Sequence, residues 1–143
     1  MAKWPIEIKP GTIFDHPIHQ NDIFSTFAAA ADASIPNDRI IDGKNIIPFI
    51  KENKPPHETL FWRSGRLQTV LHDEWKMIVD KNQNKKWLFD LSNDPTERNN
   101  LVDQMSEKVE LLEKLLEEHN SQQVEPNFMS VIATPVRLDK HDG

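Results

Sequence analysis

The sequence predicts an α+β fold: a small antiparallel β-sheet of about four strands covered by a C-terminal amphipathic helix, preceded by an N-terminal strand and a short helix. Three observations carry this. Between Glu58 and Leu91, "ETLFWRS", "LQTVLH", "WKMIVD" and "KKWLFDL" are rich in Trp, Val, Ile and Phe and spaced for hairpins. From Ser106, "SEKVELLEKLLEEHN" repeats apolar residues at three- and four-residue steps. The segments before the strands are cut by prolines too often for long regular elements.

Taken in order, "WPIEIKPG" alternates Ile6 and Ile8 between prolines and predicts an edge strand running into a turn at Pro10-Gly11. Asn21 or Asp22 then caps a short helix carrying Ile23, Phe24, Phe27 and Ala30 or Ala31, ending near Asp32. "SIPNDRIIDGKNIIPFIKENKPP" reads as a connector with one helical turn at "NIIPFIK". The four strands follow as a meander. Ser106 is the expected cap of the last helix, with Met105, Val109, Leu112, Leu115 and Leu116 on its buried face and Glu110 paired to Lys114. That stripe needs a platform, and one face of the meander supplies it. The tail has extended, proline-bounded segments without a period, which predicts wrapping rather than independent folding.

The chain's 143 residues suit one domain. Seventeen Lys and Arg against 23 Asp and Glu give a net charge of −6 without a basic block, which argues against a nucleic-acid partner. Apolar runs such as "FAAAA" fall far short of the ~20 residues that span a bilayer, so no membrane partner is expected. "MAKWPIEIKPG" has no apolar h-region of a secretory signal. Zero cysteines exclude disulfides, thiolate metal ligands and a Cys nucleophile.

Four candidate chemistries compete with plainer readings. Asp90, Ser92, Asp94 and Thr96 alternate as the first ligands of a calcium loop do, but Pro95 stands where the loop needs glycine and Leu101 where it needs a bidentate Glu. An Asp-Pro turn, in which Asn93 or Asp94 bonds its own backbone, fits better. His16 and His19, with Asp15 and Asp22 nearby, are zinc or iron ligand types, yet Pro17 opposes a helix that would align them, and a solvated loop is the simpler reading. No G-x-S-x-G is present for a serine hydrolase. Trp62-Arg63 and Trp75-Lys76 set aromatics beside cations, able to stack on a sugar or aryl group, against the alternative of core tryptophans flanked by solvated bases.

In order, these stretches resemble the C-terminal part of the type I, formylglycine-dependent sulfatases, particularly the bacterial arylsulfatase-like ones. Trp4-Pro5, Pro10-Gly11, Asp22-Ile23, Thr26 and Asp42-Gly43 match that family's strand, turn, D-I-x-x-T helix and Asp-Gly loop. "HETLFWRSG" and "HDEWKMIV" are similar to its next strands. "LFDLSNDPTERNNL" matches its closing motif L-[YF]-D-L-x-x-D-P-x-E-x-x-N-L at Leu88, Phe89, Asp90, Leu91, Asp94, Pro95, Glu97, Asn100 and Leu101. Glu7 and Ser25 depart from the pattern, standing where the family commonly has glycine and proline.

The resemblance implies an organisation. Residues 1–54 would be a terminal strand and helix of the catalytic-domain type plus connector, 55–120 the C-terminal subdomain, and 121–143 an extended tail. It implies structural roles for Asp22, Asp42, Gly43, Trp75, Lys76, Asp90, Asp94, Pro95, Glu97, Asn100 and Leu101, and a substrate-entrance position for which His57, Trp62 and Arg63 are the candidates. A full-length parent would use formylglycine, made from the Cys or Ser of C/S-x-P-x-R, and calcium or another divalent cation. This chain's near miss, "SIPNDR", has Asp38 where arginine is required, so no catalytic or metal residue is carried over and the chain alone is expected to be inactive. The implied partner is the sulfatase catalytic domain. A stand-alone chain would be cytoplasmic and self-associate through Ile13, Phe14, Ile18, Ile23, Phe24 and Phe27, whereas a fragment of a typical bacterial sulfatase would be periplasmic or exported. A metal hydrolase on His16, His19 and Asp22 is the remaining alternative.

Overall fold

Phe61 stands opposite Val70, Val70 opposite Met77, and Met77 opposite Leu88, a single row crossing four strands. The strands are β1 (Thr59–Ser64), β2 (Leu67–His72), β3 (Trp75–Asp80) and β4 (Lys85–Asp90), antiparallel neighbours in chain order. The computed structural model describes residues 2–124 and divides the chain after Glu58 into two units.

In the second unit, side chains alternate between the two sheet faces, so the row from Phe61 to Leu88 lies on one of them. Helix α3 (Ser106–Ser121) covers that face. Its Leu112 and Leu116, one turn apart, join Val70, Met77 and Leu88 in a buried cluster flanked by Trp75, Val79, Val109 and Leu115. Each of these large apolar side chains contributes about 1.5–3 kcal/mol on full burial, so this cluster holds the unit together. The tight turns match their backbone needs: Gly65, at φ 57°, joins β1 to β2, and Asp73, at φ 51°, joins β2 to β3. The Asp80 carboxylate accepts the Asn82 and Gln83 amides at 3.0 and 3.1 Å and Arg66 Nε at 2.8 Å, shaping the turn into β4.

Two expectations for α3 need correction. Met105, not Ser106, is the cap residue, and it makes no side-chain cap hydrogen bond; Ser106 is already helical. Lys114 reaches forward to Glu118 at 4.0 Å rather than back to Glu110, while Glu113 pairs across to Lys86 of β4.

The first unit contains α1 (Asp22–Ala30) and α2 (Ile47–Glu52). Helix α1 ends in a left-handed Asp32, with the Ala33 amide bonded to the Ala28 carbonyl at 2.9 Å. Helix α2 starts where Asn45 Oδ1 accepts the Ile47 amide at 3.1 Å and stops at left-handed Asn53. The expected N-terminal strand does not form. The Glu7 and Ile8 amides both turn back to the Trp4 carbonyl, at 3.0 and 2.7 Å. A strand needs a neighbour to pair with, and the four strands of the described residues all lie beyond Glu58. The extended tail expected over 121–143 falls, from residue 125 onward, outside the described residues.

Candidate functional site

Helix α1 is built inside out. Its buried residues are Asp22, Ser25 and Thr26, whereas Ile23, Phe24 and Phe27 are 53, 54 and 69 % exposed. The polar face is spent on backbone. Asp22, 1 % exposed, accepts the Lys44 amide at 2.8 Å through Oδ1 and the His19 amide at 2.7 Å through Oδ2. Ser25 Oγ donates to the Gly43 carbonyl at 2.7 Å, and Thr26 Oγ1 accepts the Ile46 amide at 3.1 Å. Asp22, Ser25 and Thr26 thus satisfy an irregular 43–46 segment that, among the described residues, pairs with no strand.

His57 completes this cluster. Its Nε2 lies 2.8 and 3.0 Å from the two Asp22 oxygens, and because two amides already donate to that carboxylate, Nε2 is the protonated nitrogen. Burial pushes the Asp22 carboxyl up, but the Lys44 and His19 amides and His57 together outweigh it and hold it below the ordinary range. Of the three substrate-entrance candidates, His57 is therefore engaged inside the first unit. Asp42 is exposed beside Gly43. The two departures from the family pattern are both occupied: Ser25 as above, and Glu7 in an ion pair with Lys51 of α2.

Trp62 and Arg63, adjacent on β1, begin on opposite sheet faces. Both border a cavity of about 260 Å³ between β1 and the last turns of α3. Phe61 and His119 stack across its wall with centroids 4.0 Å apart and planes 3° from parallel. Gln68 and Asn120 exchange two amide hydrogen bonds of 3.1 Å at its base. Neither pair was found from the sequence. Gln68 did carry a signal, since it shares a strand face with the core residue Val70, and an amide at a core position needs a partner.

The closing-motif acids are turn formers. Asp90 accepts the Ser92 amide at 3.0 Å, together with the Ser92 hydroxyl and Asn93 Nδ2, and these side-chain bonds hold its carboxyl below the usual range. Asp94 is lowered chiefly by the Asn99 amide, at 2.8 Å, against which burial acts, with the Arg98 amide at 2.7 Å adding to the first. Asn100 Oδ1 accepts the Leu88 amide at 2.9 Å, and the Leu101 amide donates to the Leu88 carbonyl at 2.8 Å, so the motif covers the outer edge of β4. Glu97, left-handed at φ 56°, meets Lys76 Nζ at 2.7 Å. Trp75 packs beside the core cluster and Pro95 is exposed in the turn.

These donor sets do not fit a divalent cation. The oxygens of Asp22, Asp90 and Asp94 are committed as described, His16 Nε2 sits 3.2 Å from the Asn53 carbonyl, and among the described residues no three His, Asp or Glu side chains converge. The "SIPNDR" stretch is an exposed loop in which Asp38 pairs with its neighbour Arg39 at 2.7 Å. One hydroxyl–imidazole contact, Thr59 Oγ1 to His72 Nδ1 at 2.8 Å, joins residues that face each other across β1 and β2. It is a cross-strand pair.

The family model described as N-sulphoglucosamine sulphohydrolase, C-terminal, matches residues 1–125. The steryl-sulfatase of Mus musculus is 36% identical over 73 residues, covering 49% of this chain and 12% of that protein. The steryl-sulfatase of Homo sapiens is 41% identical over 63 residues, covering 43% of this chain and 11% of its own length. The crystal structure of Ps i-CgsB superposes with a TM-score of 0.74 at 23% identity, over 90% of this chain and 30% of that one, a likeness of fold.

Proposed function

The chain belongs to the family of N-sulphoglucosamine sulphohydrolase C-terminal domains, and from that premise we propose that it works as the C-terminal part of a sulfuric ester hydrolase. In this reading it has no turnover of its own, docks on the enzyme's catalytic part, and borders the substrate entrance with Trp62 and Arg63. The inverted helix α1 carries the proposal. Its polar face is consumed internally, while Ile23, Phe24 and Phe27 stay exposed and Ile13 and Ile18 add further exposed apolar surface. Exposed apolar patches of several hundred Å² mark interfaces. The chain spans 12% and 11% of the two steryl-sulfatases, so most of such an enzyme lies outside the matched region and is the natural cover.

Formylglycine and a divalent cation would then reside in that catalytic part. Sulfate ester cleavage needs an activated nucleophile and charge stabilisation held together, and the chain has no cysteine and no convergent ligand set among its described residues. Assay of the purified chain on aryl sulfates with calcium is expected to give no turnover. Saturable turnover that a chelator abolishes overturns the proposal. Fused behind a sulfatase catalytic part lacking its own C-terminal domain, the chain is expected to raise the yield of soluble, active enzyme; a fusion no better than the truncated enzyme counts against docking. A stable dimer of the isolated chain, dissociated by Phe27→Ser, would assign the face to a second copy instead.

A further inference from the structure

We infer that a segment of this chain's own C-terminal tail, residues 127–134, adds to the outer edge of β1 as a further strand of the sheet. The two edges of the sheet differ. Beyond β4, Asn100 and Leu101 bond the Leu88 amide and carbonyl. At the other end, among the described residues, β2 is the one strand that pairs with β1, and Trp62, Arg63 and Ser64 are exposed. An edge strand is a template for another strand, and folded proteins cover it or blunt it. The cavity at this end wraps over that edge, because Phe61 and Trp62 are neighbours on β1, start on opposite sheet faces, and both line it. Trp62, Arg63 and His119 each have an interaction partner already. What an added strand uses here is therefore the direction of β1 and its apolar walls, not vacant charged or polar side chains.

The tail is the occupant because it starts there. Gln123 and Val124, the last described residues, line the same cavity as Phe61, Trp62 and Arg63, and Val124 is 87 % exposed. Residue 127 follows within about 10 Å by the reach of an extended chain, so no long loop has to close. Between Pro126 and Pro135 stand eight proline-free residues, "NFMSVIAT", against six in β1. They include Phe, Val, Ile and Thr, which favour strands, and the prolines bracket the run as they do at the ends of edge strands. As a strand, Met129, Val131 and Ala133 share one face and Phe128 and Ile132 the other. Each face then has apolar neighbours, Phe61 and Leu116 toward α3 and Trp62 on the far side. A tethered segment also competes at an effective concentration of about millimolar, whereas the β1 edge of a second copy must arrive from solution.

The test is amide hydrogen exchange with cross-strand NOE measurement on the full chain. Expected are alternating slow amides within residues 127–134, protected about tenfold over those of residues 136–143, and backbone NOEs from this run to β1. Of Ser130→Pro and Val131→Pro, one removes a donor that faces β1, and that variant should speed exchange in β1 about tenfold while β3 amides keep their rate. Arg137→Pro, beyond the run, should leave both unchanged. If the two variants disturb β3 as well, the wild-type NOEs decide. Protection of β1 that falls on dilution assigns its edge to a second copy and overturns the proposal. Uniformly fast exchange across 127–134, or side-chain NOEs to Phe61 and Trp62 without alternating protection, overturns it too. Docking through α1 is independent of this outcome, because its apolar residues belong to the first unit.

Discussion

A β-carbon on Gly43 would lie 2.0 Å from the Asn21 carbonyl oxygen and 2.5 Å from its carbon. Glycine is required at this point of the Asp-Gly loop because the backbone before α1 passes directly against it, and both partners are main chain, so neither can turn aside. Gly43→Ala is therefore expected to push the 43–46 segment off the Asp22, Ser25 and Thr26 side chains that hold it. Overpacking of this kind costs about 1–3 kcal/mol. Chemical denaturation followed through the Trp4 region should register that loss, while amide exchange in β2 and β3 stays at its wild-type rate. Unchanged stability of the Gly43→Ala variant would mean that the loop has room the contact denies.

Asp22 sets an acid limit on the first unit. Its folded-state carboxyl lies below the ordinary value of 3.8, so the unfolded chain binds the proton more readily. Its contribution is present above pH ~4 and is lost as pH falls through the lowered folded value. Asp80, Asp90 and Asp94 are lowered too and act in the same direction. Asp22→Asn replaces an acceptor with an amide facing the Lys44 and His19 N–H groups and His57, and should cost about 1–3 kcal/mol at pH 7. The variant should lose less than wild type between pH 5 and pH 3. Parallel pH–stability curves for the two proteins would remove Asp22 from the acid response.

How much of this was legible in the sequence depends on how local each interaction is. The four strands and α3 were readable because period-two runs and a helical stripe repeat their signal several times, and Gly65 and Asp73-Glu74 mark the turns. The Ile6–Ile8 alternation carried the same signal and failed, because pattern cannot supply the neighbouring strand. The Ser106 cap failed because Met105 takes the non-helical position one residue earlier. Asp22 and His57 are 35 residues apart with no periodic pattern linking them, so their pairing had no local trace. The family motif marked Asp22 and Gly43 as fixed points without giving the reason, which is a buried carboxylate in one case and a backbone collision in the other.

Asn100 acts as one residue of a fifth strand. Its Oδ1 accepts the Leu88 amide at 2.9 Å and the Val102 amide at 3.2 Å, and the adjacent Leu101 amide completes the contact with Leu88. Leu88 itself is fully buried at the β4 end of the core row. Asn100→Ala leaves its amide without that acceptor, for an expected loss of about 1–3 kcal/mol. Asn100→Asp should lose less, since a carboxylate oxygen can accept both amides. Faster hydrogen exchange at the Leu88 amide in the Asn100→Ala variant, restored in Asn100→Asp, is the diagnostic; equal protection in all three proteins would show that the edge is held by Leu101 alone.

Phe24 and Phe27 separate stability from docking. Both are more than half exposed on α1, whose internal bonds come from Asp22, Ser25 and Thr26, so polar substitution removes little that the isolated chain uses. Phe24→Ser with Phe27→Ser is expected to shift the stability of the isolated chain by no more than about 0.5 kcal/mol per site, the usual range for surface changes. The same pair should cut the recovery of soluble, active enzyme from the fused catalytic part severalfold, because burying two phenylalanines accounts for about 1.5–3 kcal/mol each at an interface that covers them. Paired measurement of unfolding free energy and fusion yield distinguishes the cases. Loss of both would place the two rings in the unit's own packing, and loss of neither would leave the inverted face without a partner on the catalytic side.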